Sequence, residues 1–476
     1  MQPVRTPTFT ELTEGRIAPP MAARPGPDLA VAGFTESEWA VAGEALSYSV
    51  GELPHDGRVT LAQADSAAFA TRVLVRRPDA ARFSGVVLVE WLNVSGGQDA
   101  APEYTYLADE IVRAGHAWVG VSAQFIGVEG GDAAVGMGGQ TVGLRAQRAE
   151  RYGDLHHPGD AYSYDIVTQV GRFCRDARDE GPLAGLVAET VIAIGESQSA
   201  IALTSYIDGV HPLVGVFDGF LLHSRGGGAL PFDDRGCAAG IATAVRSSTM
   251  LLRDDLDTPV FVVQAEGDLG GLLDSARSRQ PDSKAIVTWE IAGQAHADAY
   301  QLGELAGLVD CGGAINSGQQ VFVVRAALRH LVSWVAGGAR PPGAPPVELD
   351  DDEVVPGDLG IGRGGVRTPA VEAPVERLVG APYPQSARSA CSSVARRRWP
   401  RSSCVSGGRD ATSTCGPTRR PPTGSSPRVS CWPTIARRSS PTPAPSASAG
   451  ERGLAGGASV PMKYTRAGRS RARHRL

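Results

Sequence analysis

The chain has 476 residues, 42% of them hydrophobic and 20% charged, with a formal net charge of −5. That length allows up to about three domains, and no run approaches the ~18 uninterrupted apolar residues of a membrane span. Seven cysteines without a C-x-x-C pair argue against a disulfide framework or a zinc site. The opening MQPVRTPTFTELTEGRIAPP lacks the basic-then-apolar order of a signal peptide. A cytoplasmic protein is therefore expected.

In chain order, β-branched apolar runs predict strands at 71–78, 85–92, 117–123, 191–195, 216–224, 259–267 and 285–293. Several are apolar at nearly every position, as parallel strands covered on both faces are. Helical patterns fall between or after them, at 104–115, 164–177, 197–207 and 320–338. Such alternation predicts an α/β fold with a mostly parallel central sheet and helices on both faces. Two stretches break the rhythm, 127–160 and 225–257. Ligands in such sheets meet the loops at the carboxyl ends of strands, so both are read as lid-like insertions.

The charge is unevenly spread. Residues 1–380 carry 28 Lys and Arg against 49 Asp and Glu, a net of −21, whereas residues 381–476 carry 18 against 2, a net of +16. The last stretch is rich in Arg, Ser, Pro and Gly, without period, and holds Cys391, Cys404, Cys415 and Cys431. Such a composition reads as an out-of-frame translation of a GC-rich gene or a disordered tail. A nucleic-acid-binding arm is the weaker reading, so no nucleic-acid partner is expected. Function is sought before residue 380.

The segment VIAIG-ESQS (191–199) reads as strand, sharp turn, helix. Ser197 on that turn would project above the sheet edge, with the Gln198 N–H at a helix start as an oxyanion donor. Ser199 stands where G-x-S-x-G has its second glycine. Serines near helix starts are also common caps, so the partners matter. A serine needs a base, and of the nine histidines only His296, His330 and His474 lie beyond the 259–267 strand. His330 sits in a helical pattern and His474 in the tail. His296 lies in a loop after the last predicted strand, where a base should hang. Asp268 is the favoured acid and Glu266 the alternative. Leu92 and Asn93, after an earlier strand, are placed to give the second oxyanion donor.

Together VVLVEWLNVSGGQDA (86–100), IGESQSA (194–200), FDGFLLHSRGGGA (217–229), DTPVFVVQAEGDL (257–269) and EIAGQAHAD (290–298) carry a resemblance. With RYGDLHHPGDAYSYDI (151–166), they resemble the α/β-hydrolase superfamily, and within it a bacterial group of alpha/beta hydrolase domain-containing proteins. The resemblance implies a hydrolase fold with Ser197 as nucleophile, His296 as base and an acid within 266–268. It implies no substrate.

Arg225 in HSRGGG is read as facing a substrate carboxylate or as a structural anchor. HHP (156–158) lacks metal-ligand spacing, and no metal or cofactor is expected. GIGRGG (360–365) follows no strand and opens no helix, so it is a false dinucleotide motif. The expectation is a serine esterase acting on a small-molecule ester, with no membrane partner. An acyltransferase using the same triad, or a non-catalytic binding protein, are the alternatives.

Overall fold

The buried apolar runs become strands whose successive side chains enter two different cores. In the computed structural model, residues 6–380 are described apart from 23, 135–140, 177–178, 309–314, 358, 375 and 379, together with 397–398. The chain divides into two units, Met1–Gly407 and Gly408–Leu476, and the second lies wholly outside the described residues. So does the basic tail, except for 397–398.

Nine strands form one sheet: β1 (Thr8–Glu11), β2 (Phe34–Val50), β3 (Leu61–Pro78), β4 (Val86–Trp91), β5 (Ala117–Val121), β6 (Thr190–Glu196), β7 (Gly219–His223), β8 (Val260–Ala265) and β9 (Ile286–Ile291). Their spatial order is β1-β2-β3-β5-β4-β6-β7-β8-β9. From β5 through β9 every neighbouring pair is parallel. β3 runs antiparallel to both β2 and β5, and β1 antiparallel to β2.

Four principal helices cover the sheet: α1 (Pro102–Ala114), α2 (Ser163–Arg175), α3 (Gln198–Ser205) and α4 (Gln320–Val335). Val87, Val89, Val191 and Ala193 share a core with Ile166, Val170 and Leu203 of α2 and α3. Their neighbours Leu88, Ile192 and Ile194 share the opposite core with Leu107 and Ile111 of α1 and Leu328 and Leu331 of α4. This is the alternation of a sheet buried on both faces.

Helix α1 shows how the sequence sets its limits. Pro102 opens it, where a missing N–H costs nothing, and Glu90 from β4 accepts the N–H groups of Glu103 and Tyr104 at 3.1 and 2.9 Å. Gly115 closes it at φ 74°. A Cβ there would lie 2.2 Å from the Arg82 carbonyl oxygen, so only glycine fits.

The two insertions meet each other. Asp160 N donates to Cys237 O at 3.1 Å and Gly236 N to Pro158 O at 2.8 Å. Buried Asp160 ties both to the sheet's edge, accepting from Phe125 N (2.7 Å), Gln124 Nε2 (3.1 Å) and Ala239 N (2.8 Å). Among the described residues no helix is long and apolar enough to cross a membrane.

Candidate active site

Ser197 stands between the end of β6 and the start of α3 with φ 61° and ψ −119°, a conformation that strains any residue with a Cβ. Its N–H donates to His223 O at 2.8 Å and its carbonyl accepts from Ile201 N at 3.1 Å. Tight packing allows the turn. A Cβ on Gly195 would meet the Ser199 backbone carbon and Leu203 at 3.1 Å. The missing second glycine of the motif is explained here, because Ser199 is small and its Oγ donates to Glu196 O at 2.8 Å. Asn93 Nδ2 donates to the same carbonyl at 3.0 Å. Ser197 itself remains partly exposed.

His296 and Asp268 come together from loops after β9 and β8. His296 Nδ1 lies 2.8 Å from Asp268 Oδ1. The other oxygen of this fully buried carboxylate accepts from Ala265 N at 2.6 Å. Glu266, the alternative acid, points elsewhere: its Oε2 accepts from Gly293 N at 2.7 Å and Gly362 N at 2.9 Å. Glu266 thereby ties the histidine loop to the GIGRGG segment, which gives that glycine-rich stretch a structural use. His330 lies in α4 against the Trp289 ring, 5.5 Å between centroids, and His474 lies outside the described residues.

A second carboxylate approaches the histidine. Glu196, buried at the end of β6, places Oε1 3.9 Å from His296 Nε2, and that oxygen has no hydrogen-bond partner among the described residues. Burial alone lowers the His296 pKa; the charge and hydrogen bond of Asp268, with the charge of Glu196, overcome it and raise the group to about 9. Burial raises Glu196, against the pull of His296 and His223. Behind the serine, His223 Nδ1 lies 2.8 Å from Glu103 Oε2, both fully buried. Glu196, Glu103 and His223 escaped the sequence reading. A carboxylate directly before the serine is visible in the sequence, but its partner across the sheet edge is not.

The oxyanion assignment needs a correction. Gln198 is the first residue of α3, where a backbone N–H has no intrahelical acceptor. Leu92 N, however, donates to Val121 O at 3.1 Å and Asn93 N to Ala100 O at 2.9 Å. Both N–H groups are bonded to backbone carbonyls that hold the loop, which argues against either as the second donor. The next N–H, of Val94, makes a longer 3.2 Å bond to Gln198 Oε1. Gln198 Nε2 in turn donates to Gln124 Oε1 at 2.6 Å.

Arg225 is buried in the wall of a cavity of about 480 Å³ under the loop after β8, and Ser197, Gln198, Asp268 and His296 do not line it. Among the described residues, no group of three or more His, Cys, Asp or Glu is arranged to hold a metal.

A mostly parallel sheet with a serine on a strained strand–helix turn and a histidine–aspartate pair on the following loops defines an α/β-hydrolase architecture. The chain belongs to the alpha/beta hydrolase domain family, whose pattern matches residues 4–399. No curated protein matches it in sequence. Among solved structures it is similar to a ferulic acid esterase from Streptomyces cinnamoneus, with 11% identity and a TM-score of 0.34 over 63% of this chain and 92% of that one. It is similar also to a fungal esterase from Rhizomucor miehei (12%, 0.32, 62% and 85%). A third is a putative dienelactone hydrolase from Klebsiella pneumoniae (12%, 0.30, 62% and 98%).

Proposed function

We propose that the protein is a serine hydrolase that cleaves a small carboxylic ester through an acyl-enzyme intermediate. The observation that carries this reading is the 2.8 Å contact between His296 Nδ1 and Asp268 Oδ1, together with a serine held at φ 61° next in the chain to Glu196, whose Oε1 lies 3.9 Å from His296 Nε2. Ser197 Oγ attacks the ester carbonyl while its proton passes to His296 Nε2. Asp268 holds the ring orientation and offsets the imidazolium charge. The developing oxyanion accepts from the Gln198 N–H and from Val94 N–H, which exchanges its Gln198 side-chain partner for the substrate. Loss of one such donor typically slows reaction by about 10²–10³. Collapse expels the alcohol, which takes the proton from Nε2. Water then attacks the acyl-serine with the same histidine as base and releases the carboxylic acid.

The test is intact mass after incubation with a fluorophosphonate. One adduct on the wild-type chain, absent from Ser197→Ala and strongly slowed in Asp268→Asn, is expected. Folded wild-type protein that stays unlabelled would leave a binding role as the surviving reading.

A further inference from the structure

The cavity beside Arg225 holds a charge that nothing in its wall balances. Its charged lining residues are Arg225, Arg279, Asp282 and Glu290. Three of them are matched. Arg279 bonds both oxygens of Glu290 at 2.6 Å, and Asp282 accepts from Arg340 at 3.1 Å. Arg225 is different. It is 2% exposed, and among the described residues its guanidinium makes one hydrogen bond, from Nη2 to Met250 O at 2.8 Å, and no ion pair. Asp208 is the carboxylate whose field reaches it. Burial pushes the Asp208 pKa well above the usual carboxylate range, and Asp208 does not line the cavity. Burial also lowers the Arg225 pKa to about 10, so the guanidinium is still charged near neutral pH. A desolvated charge left unpaired is costly. Two further polar atoms in the same wall, Ser275 Oγ and Gln264 Oε1, are buried without partners among the described residues.

We propose that this cavity is a binding site for a small organic monocarboxylate, distinct from the Ser197 site, with Arg225 as its anchor. The guanidinium offers a planar donor pair matched to a carboxylate, and Ser275 supplies a further donor after a rotation of its hydroxyl. One unmatched positive charge calls for one negative charge, so a dianionic phosphate would overshoot beside Glu290 and Asp282. Leu252, Val262, Ile286 and Pro346 give the apolar part of the ligand its wall. The proposal stands on the cavity alone and does not depend on the esterase reading.

Isothermal titration of the full chain with benzoate, with benzamide as neutral isostere and inorganic phosphate as dianion, tests it. Saturable benzoate binding is expected, retained in Ser197→Ala and weakened about 30-fold or more in Arg225→Met. Benzamide and phosphate should bind far more weakly. Near-UV circular dichroism shows whether Arg225→Met folds; if it does not, Thr288→Phe, which fills the cavity beside an intact Arg225, should abolish binding instead. The proposal is overturned by absence of benzoate binding, by equal affinity for benzamide, or by binding that survives in the folded cavity variants.

Discussion

Glu196 Oε1 lies 3.9 Å from His296 Nε2, the nitrogen that takes the serine's proton in the proposed mechanism. With Asp268 on the opposite ring nitrogen, it raises His296 to about 9. A base must be neutral to accept a proton, so acylation of Ser197 should climb with pH through about 9. Replacing Glu196 by Gln removes one of the two negative charges favouring the imidazolium. The acid limb should then move to lower pH, with a lower plateau at high pH because the imidazolium of the transition state loses a partner. Stopped-flow acylation across pH checks this; a limb that does not move would assign Glu196 a purely structural role. The place of Ser197 on a strand–helix turn and of His296 in the loop after β9 was legible from local pattern and chain order. Asp268 was favoured over Glu266 in the sequence, but both follow β8 within three residues and only the fold shows which one turns toward the imidazole.

The loops that carry these side chains are held by buried carboxylates at element ends. Glu90 receives the first N–H groups of α1, and Glu266 joins the turn before His296 to Gly362. Glu266→Ala would orphan both N–H groups, at about 1–3 kcal/mol each. Urea unfolding should show that loss, and fluorophosphonate labelling should slow as the histidine loop loosens; Asp268→Ala should instead suppress labelling with a smaller loss of stability. The parallel strands β4 to β9 were legible because a strand covered on both faces is apolar throughout. β1, β2 and the first half of β3 were not. β2 mixes Glu, Gly, Ser and Ala, its register shifts between Leu46 and Tyr48, and it buries Glu38 against Arg72. Such a strand keeps no period that sequence alone displays.

Across the molecule, the matched family pattern ends at residue 399, and every residue assigned here to chemistry lies between 94 and 296. A chain ending at 399 is expected to label at Ser197 at the rate of the full chain, measured by time-resolved intact mass. Slower labelling would mean that residues beyond 399 support the site. The charge contrast between residues 1–380 and the remainder was visible in composition, whereas the joining of the two insertions through Asp160 was not, since it rests on backbone donors from Phe125 and Ala239. The φ of 61° at Ser197 has a consequence for how such a sequence changes over generations. Glycine would occupy that turn without the ~1–3 kcal/mol penalty of a sparsely populated backbone region. A descendant copy freed from the need for a nucleophile would gain stability by substituting glycine there.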